Sequence, residues 1–236
     1  MTEKNAENNA LLEKHRIKSY VIRAGRMTTA QSNALTELAP KYLIDASAEK
    51  PLDIAAIFGR EAPLVVEIGF GMGKSFVEMA KADPLRNYLG IEVHPPGVGA
   101  AMMLIEKEGL TNVKVINYDA YLVLTKCLKP QSVDILQIFF PDPWPKARHH
   151  KRRLINDSFI DVITPVLKHG AQVRMATDWQ EYAEEMLECF NKAEGFTNTS
   201  ENNTYIPRPE WRPLTKFELR GERLGHGVWD LVFIRD

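Results

Sequence analysis

Short apolar runs alternate with longer amphipathic segments along most of this chain. The apolar runs predict β-strands at 64–68, 88–93, 113–117, 133–140, 172–176 and 229–234. The segments between them predict helices at 74–82, 97–108, 120–128, 156–168 and 179–193. Because strand and helix alternate from 64 to 193, we expect right-handed crossovers and a doubly wound, mostly parallel α/β sheet covered by helices.

The composition is that of an ordinary globular protein. The 236 residues carry 30 Lys and Arg against 31 Asp and Glu, a formal net charge of −1, and 44% are apolar. These values exclude a disordered, collagen-like or disulfide-scaffold protein. We expect a disordered tail at 1–16 and a single domain at 17–236, with a basic leader at 17–60 packed on it.

The sequence does not predict a membrane span, a signal peptide or a metal site. No window approaches the roughly 20 apolar residues of a membrane span, and the polar N-terminus lacks the apolar core of a signal peptide. Cys127 and Cys189 show neither C-x-x-C nor zinc-ligand spacing, which favours two buried thiols in a reducing compartment. We therefore expect a cytoplasmic, monomeric protein with no membrane partner and no metal.

The first predicted strand ends in an acid and a glycine turn, at the edge where a doubly wound sheet binds ligands. Glu67 is followed by Gly69, Gly71 and Gly73, a G-x-G-x-G spacing that differs from the G-x-G-x-x-G of dinucleotide sites. Glu67 would repel a pyrophosphate, but it suits an ammonium group such as that of the methionine part of S-adenosylmethionine. A tight strand–helix turn with a solvated Glu67 is the alternative.

Two further acids follow the next strands. Glu92 ends the second strand 23 residues after Gly69, the spacing of an acid that accepts hydrogen bonds from two ribose hydroxyls. Nicotinamide dinucleotides and S-adenosylmethionine both require such an acid. Asp119 follows the third strand, where it can accept a hydrogen bond from an adenine amine. Three acids at consecutive strand ends favour a nucleoside-containing cofactor.

The fourth predicted strand continues into FFPDPWPK at 139–146. Phe140, Asp142 and Trp144 each precede a proline, which pushes their backbone toward extended conformations, while each proline fixes its own φ. This stiff segment would present Asp142 rigidly beside the cofactor. A rigid edge loop with Trp144 as a plug is the structural alternative.

A basic run follows at once, with the sequence KARHHKRR at 146–153. It holds five positive residues and no acid, whereas 178–194 holds six acids and one Lys. A run of one sign beside an active site suggests contact with phosphate. The net charge of −1 therefore averages two opposite faces and says nothing about a nucleic-acid partner.

Two positions near the C-terminal end are further candidates. Asp178 follows the fifth strand, where it either caps the next helix or faces the active site. Residues 212–227 are rich in Arg, Lys and Gly and lie beyond the regular alternation, which is typical of a functional loop. Glu218 within it can accept hydrogen bonds from guanine N1–H and the N2 amine.

The sequence closely resembles the bacterial tRNA (guanine-N7-)-methyltransferases. The matching segments are GRMT at 25–28, EIGFGMG at 67–73, GIEVHPPGVG at 90–99, FPDPWPKARHHKRR at 140–153, TD at 177–178 and RPLTKFELRGERLGHGVWDL at 212–231. The proline-rich segment with its basic tail and the Thr-Lys-Phe-Glu segment are highly specific. The resemblance implies a Rossmann-like class I methyltransferase fold and methyl transfer from S-adenosyl-L-methionine to N7 of a variable-loop guanine of tRNA, at tRNA position 46.

The resemblance also implies a role for particular residues. Asp142 is the proposed catalytic residue. The cofactor side comprises Glu67, Gly69, Gly71, Gly73, Glu92, Asp119 and Asp142. The substrate side comprises Lys146, Asp178, Thr215, Lys216, Phe217 and Glu218. The RNA-contacting stretch comprises Arg148, His149, His150, Lys151, Arg152 and Arg153.

Three other functions remain open from the residues alone. A nicotinamide-dependent reductase shares the fold and Glu92, although Glu67 and the glycine spacing disfavour it. An amine methyltransferase acting on adenine or guanine is closer, because Pro-Asp-Pro-Trp loosely resembles the Asn/Asp-Pro-Pro-aromatic motif of that class. A non-catalytic RNA-binding protein is the third.

Overall fold

The predicted alternation of strand and helix is present in the computed structural model, which describes residues 17–22, 26–214, 218 and 227–236. The strands are β1 Leu43–Ile44, β2 Leu64–Ile68, β3 Asn87–Ile91, β4 Val113–Ile116, β5 Val133–Phe139, β6 Leu167–Thr177, β7 Phe196–Asn198 and β8 Trp229–Arg235. They form one sheet in the order β1-β4-β3-β2-β5-β6-β8-β7. β8 is antiparallel to both neighbours and the other pairings are parallel, which confirms the predicted doubly wound α/β sheet.

Helices cover both faces of the sheet. They are α1 Thr29–Glu37, α2 Ala39–Tyr42, α3 Ile54–Phe58, α4 Lys74–Ala82, α5 Pro95–Glu108, α6 Ala120–Leu122, α7 Asp157–Ile163 and α8 Gln180–Lys192. A π-helical turn, Val123–Cys127, continues α6, and a 3₁₀ turn, Ala147–Arg152, lies within the basic run. Among the described residues, no helix has the length and apolar character needed to cross a bilayer.

The core lies in two layers because successive residues of a strand point to opposite faces. Val66 of β2 belongs to the layer that contains Phe159 of α7 and Met186 of α8. Val65, its neighbour in the chain, belongs to the opposite layer with Met102 of α5. All five residues of β2 are buried, as expected of a central parallel strand covered on both sides.

One helix prediction was wrong at its C-terminal end. The helix predicted at 156–168 ends at Ile163, because Pro165 has no N–H to donate and restricts the residue before it. The chain enters β6 at Leu167 instead. Gly170, expected to end the helix, lies inside the strand at φ 77°, where the pairing of β6 with β5 shifts register.

The leader holds elements that hydrophobic alternation does not reveal. α1 begins with a reciprocal cap, in which the Thr28 hydroxyl accepts from Gln31 N–H at 3.2 Å and Gln31 Oε1 accepts from Thr28 N–H at 2.9 Å. α1 then packs closely on α5, since a Cβ at Gly99 would lie 2.6 Å from the Gln31 carbonyl oxygen. The absence of a side chain at Gly99 therefore allows α1 and α5 to approach this closely.

Candidate active site

A cavity of about 610 Å³ opens at the carboxyl ends of β2, β3, β4 and β5. The chain order reverses between β2 and β5, and ligands of doubly wound sheets bind at such a switch point. The candidate residues that line the cavity are Gly69, Glu92, Asp119, Asp142, Lys151 and Arg153. Four separate strand ends therefore contribute predicted site residues to one cavity.

The glycine turn joins β2 to α4 beside this cavity. Gly69, Gly71 and Gly73 all have positive φ, between 58° and 79°. A Cβ at Gly73 would lie 2.5 Å from the Cβ of Ala101, so only glycine lets α5 approach this closely. Gly69 lines the cavity, and a Cβ there would meet nothing within 4 Å. The turn thus leaves backbone open to a ligand on one side.

Glu92 fastens the glycine turn to the start of α5. Its Oε2 accepts from Gly71 N–H at 2.9 Å, and its Oε1 accepts from the N–H groups of Val93 and His94 at 2.7 and 3.0 Å. The side chain is 9% exposed at the cavity wall. A carboxylate oxygen has two lone pairs, so Oε2 retains acceptor capacity for a ribose hydroxyl.

Asp119 caps α6 at the end of β4. Its Oδ1 accepts from Tyr121 N–H at 2.9 Å, and its Oδ2 accepts from the Tyr20 hydroxyl at 3.0 Å. Tyr20 belongs to the segment 17–22, which lines the cavity through Ile17, Ser19, Tyr20 and Val21. Tyr20 was not singled out from the sequence, because nothing in the local pattern signals a contact 99 residues away.

Glu67 lies beneath the cavity rather than on its wall. Glu67 is 4% exposed, and its Oε2 has no hydrogen-bond partner among the described residues. It pairs across β2 and β5 with Gln137, whose side-chain amide is also buried and has no partner within the described part of the chain. Burial, with a smaller effect of the Glu92 carboxylate, raises the pKa of Glu67 to about 8. A buried acid with a vacant acceptor fits a cationic partner.

We expect Glu67→Gln to change how stability depends on pH. The folded protein retains the Glu67 proton up to about pH 8, whereas the unfolded chain releases it near the ordinary value of 4.5. Stability of the natural protein therefore falls as pH rises between these values, at up to about 1.4 kcal/mol per unit. The neutral glutamine removes this loss, so its advantage should grow from pH 5 to 8 and then level off.

Urea unfolding at pH 5.5, 7 and 8.5 measures this advantage. Glu78→Gln, at an exposed position of α4, is the matched control and should run parallel to the natural protein. A constant difference between Glu67→Gln and the natural protein across this range contradicts the buried, protonated Glu67.

The proline loop, which we define as residues 140–145, carries Asp142. Phe140 and Trp144 adopt left-handed backbone conformations, with φ of 52° and 47°, so the prediction of extended backbone at these two positions was wrong. The loop is held at its start by a hydrogen bond from Phe140 N–H to the Ala176 carbonyl at 2.8 Å. At its end, Trp144 Nε1 donates to the Ser19 carbonyl at 3.1 Å. The Asp142 side chain is exposed between these anchors and lines the cavity.

Half of the basic run, residues 146–153, faces solvent. Lys146, Arg148 and Lys151 are exposed. Arg152 lies with its guanidinium carbon 5.2 Å from the Trp144 ring centre and donates to the Lys18 carbonyl at 3.2 Å. His149 and His150 are partly buried, and His149 contacts the edge of Trp144. The run therefore offers a cationic surface at the rim of the cavity.

Arg153 does not share this exposure. Its side chain is 2% exposed and forms ion pairs with Glu181 and Glu185 of α8. Its Nε donates to the Pro143 carbonyl at 2.8 Å. The guanidinium is thus packed against α8 and is not presented at the surface as Lys146 and Arg148 are, so the expected RNA contact at Arg153 does not match this placement.

Asp178 follows β6 at the same edge of the sheet. Its side chain is exposed, and the N-cap residue of α8 is Trp179, which makes no side-chain capping bond. Thr177 Oγ1 accepts from Trp179 N–H at 3.2 Å, just before the helix begins. Asp178 lines a second, open cleft together with Trp179, Gly227 and Trp229, which we call the aromatic cleft. Trp179 is 37% exposed there. Asp178 therefore does not cap α8.

Glu218 occupies an unexpected setting. It is 2% exposed, and its Oε1 lies 2.6 Å from Nη1 of Arg212. Arg212 is itself buried and pairs through Nε and Nη2 with both carboxylate oxygens of Asp230 in β8, at 2.6 and 2.8 Å. Glu218 is therefore held inside an ion cluster rather than presented to a base. Thr215, Lys216 and Phe217 lie outside the described residues, as does the tail at 1–16.

The family comparison matches most of the chain. A family model described as "Putative methyltransferase" matches residues 61–231. A protein of Aeromonas hydrophila named tRNA (guanine-N(7)-)-methyltransferase is 56% identical over 220 residues, which cover 93% of this chain and 92% of that protein. A protein of the same name from Pseudomonas fluorescens is 50% identical over 238 residues, covering 99% and 98%.

Solved structures support the fold. An rRNA methylase from Streptococcus thermophilus superposes with a TM-score of 0.51 at 13% identity, covering 89% of this chain and 99% of that chain. TrmN from Thermus thermophilus gives 0.50 at 15% identity, covering 81% and 48%. At these identities the similarity concerns the fold alone.

Proposed function

Because this chain belongs to the tRNA (guanine-N7-)-methyltransferase family, we propose that its cavity uses S-adenosyl-L-methionine to methylate N7 of a guanine in the variable loop of tRNA. The observation that carries this proposal is the exposed Asp142 on a braced loop, in one cavity with Glu92 and Asp119. The cationic surface of the basic run adjoins the same loop. Cofactor side, reacting group and RNA side thus meet at one sheet edge.

The residues of the cavity fit this cofactor. Glu92 at the end of β3 has the position and acceptor capacity for ribose, and Asp119 at the end of β4 has them for an adenine amine. The vacant acceptor of the buried Glu67 suits the amino group of the methionine part, reached directly or through water. Tyr20 would orient Asp119 through its hydrogen bond. When bound, the cofactor supplies the methyl group.

Methylation at N7 places modest demands on the protein. Guanine N7 has a free lone pair and no proton, so no side chain has to act as a strong base. The chain's task is to hold the base in line with the methyl group, which is worth up to about 7–11 kcal/mol. The methylated base is cationic, so the Asp142 carboxylate, fixed by the proline loop, stabilises the charge that develops on it.

Asp178 and the aromatic cleft would receive the base. Phe140 N–H bonds to the Ala176 carbonyl, and Asp142 and Asp178 each follow two residues later, so the two carboxylates extend from adjacent strand ends. The exposed indole of Trp179 offers a stacking surface for an unstacked purine. Taking a variable-loop guanine out of its tertiary contacts costs a few kcal/mol.

Phosphate contacts would offset that cost. Lys146, Arg148, Lys151 and Arg152 lie at or beside the cavity rim without an acidic partner among the described residues. Each phosphate contact releases counterions, so tRNA affinity should fall steeply with salt.

With one complete cavity in one chain, we further propose that the protein acts as a monomer in the cytoplasm.

Nucleoside analysis tests the proposed function. The purified protein is incubated with unmodified tRNA and methyl-labelled S-adenosyl-L-methionine, and the digested tRNA is resolved by mass spectrometry. We expect 7-methylguanosine as the product, and no product from a tRNA whose variable-loop guanine is replaced by adenine. N2-methylguanosine or N6-methyladenosine would indicate an amine methyltransferase, and binding without methyl transfer would indicate a non-catalytic RNA-binding protein.

A further inference from the structure

Arg153 is the last residue of the basic run, yet its charge is withdrawn from the surface. Its side chain is 2% exposed, whereas Lys146, Arg148 and Lys151 are exposed. Burial of a guanidinium is costly unless acids and acceptors surround it. The partners of Arg153 therefore show what this residue does.

Two acids of α8 hold the guanidinium. Arg153 Nη1 forms a close ion pair with Glu185 and lies 3.4 Å from Oε1 of Glu181, one helical turn earlier. Its guanidinium carbon lies 5.1 Å from the centre of the Tyr182 ring, and its Nη2 lies 3.1 Å from His150 Nε2. The carboxylates of Glu181 and Glu185 would repel one another without this cation.

These same acids and His150 are the one group of described residues spaced to hold a metal ion. The Arg153 guanidinium pairs with both acids and therefore supplies the positive charge of the cluster.

The remaining donor of Arg153 points at the proline loop. Its Nε donates to the Pro143 carbonyl at 2.8 Å, in the residue directly after Asp142. The prolines at 141, 143 and 145 have no N–H, so the loop has few donors with which to fix itself. The two other anchors of the loop, at Phe140 and Trp144, flank this contact. Arg153 thus fixes the peptide segment that sets where the Asp142 carboxylate lies.

We propose that Arg153 is a positioning residue for Asp142, clamped by Glu185 and Glu181 of α8, and not an RNA contact. The proposal rests on the proposed function, because the effect of positioning is measured as methyl transfer. In this proposal the exposed residues of the basic run bind the nucleic acid, whereas its last residue, Arg153, fixes the proline loop. α8, which otherwise presents acids to solvent, becomes part of the active-site support.

The experiment compares Arg153→Gln with Arg148→Gln. Both remove one positive charge from the same run, but only Arg148 is exposed. tRNA affinity is measured across a salt series, and kcat is measured at saturating tRNA and cofactor. For Arg153→Gln we expect kcat to fall about ten- to hundredfold, as small misplacement of a reacting group does, with the salt slope of binding unchanged. For Arg148→Gln we expect the salt slope to fall by about one.

Two further variants keep the test decisive if Arg153→Gln unfolds. Glu185→Gln removes a half-exposed acid and leaves Arg153 in place, so it should fold, and kcat should fall without a change in salt slope. Arg153→Lys should retain part of kcat, because one ammonium replaces a guanidinium that bridges Pro143 and α8.

The outcomes separate this proposal from the proposed function. A natural protein that makes no 7-methylguanosine overturns the proposed function. An active natural protein, together with an Arg153→Gln variant that keeps full kcat or loses about one unit of salt slope, overturns the positioning role and returns Arg153 to the RNA surface.

Discussion

Replacing Asp142 by Asn is expected to lower kcat by about 10²–10³-fold while the affinity for S-adenosyl-L-methionine changes less than about threefold. Asparagine keeps the shape of the side chain and removes its charge. Asp142 makes no hydrogen bond or ion pair with the described residues and is exposed on the wall of the cavity. The substitution therefore leaves folding and the cofactor contacts of Glu92 and Asp119 in place, and removes only the carboxylate that faces the developing cation.

Single-turnover methylation and equilibrium cofactor binding measure the two quantities separately. Asp161→Asn is the matched control, because it removes the same charge from an exposed position of α7 that does not line the cavity. If Asp142→Asn turned over as fast as Asp161→Asn, Asp142 would be a loop residue without a catalytic role. An equal loss of cofactor affinity and of kcat would instead assign Asp142 to cofactor binding.

The elements that could be predicted from the sequence are those whose local pattern of apolar and polar residues is long enough to recognise. The buried strand at 64–68 and the helix at 74–82 have the predicted bounds, since a full apolar run and a helical period each leave a direct signal. β1 and β7 have only two and three residues, too few to show a period, and both gain their hydrogen bonds from distant partners.

The candidate site divides in the same way. The acids at strand ends were found because parallel topology places carboxyl ends together, whatever the loops between them do. Burial of individual charges could not be predicted, because it depends on elements far apart in sequence. From the sequence, Arg153 resembles the other cations of its run, but in the structure it is buried against Glu185 of α8. Similarly, Glu218 was predicted to be an available acceptor, but in the structure it is buried in an ion pair with Arg212.

Loss of Arg212 should strongly destabilise the protein. Its side chain is 2% exposed and bridges Asp230 and Glu218, whose side chains are exposed by 3% and 2%. Arg212→Leu fills similar volume but leaves two carboxylates buried without a counter-charge. Removing one partner from a buried ion pair costs about 3–5 kcal/mol, and we expect a loss in this range in the free energy of unfolding at pH 7.

The pH dependence identifies the cause of that loss. In Arg212→Leu, the two buried carboxylates gain most from protonation, so the deficit should shrink as pH falls from 7 toward 5. Lys192→Met, which breaks an exposed ion pair with Glu188 on α8, is the control and should cost less than about 1 kcal/mol at any pH. Urea unfolding of both variants at the two pH values gives the comparison.

A second substitution distinguishes unpaired charge from lost packing. Adding Asp230→Asn to Arg212→Leu removes one of the uncompensated charges without restoring any contact of the arginine. If unpaired charge causes the instability, the double variant is more stable than Arg212→Leu alone at pH 7, and the two substitutions are far from additive. If the double variant is instead no more stable than Arg212→Leu, lost packing of Arg212 against Phe140, whose ring centre lies 5.5 Å from the guanidinium, is the larger contribution. In either case, the arginine joins the start of the proline loop to β8, so the loop that carries Asp142 is supported from the antiparallel edge of the sheet as well as from α8.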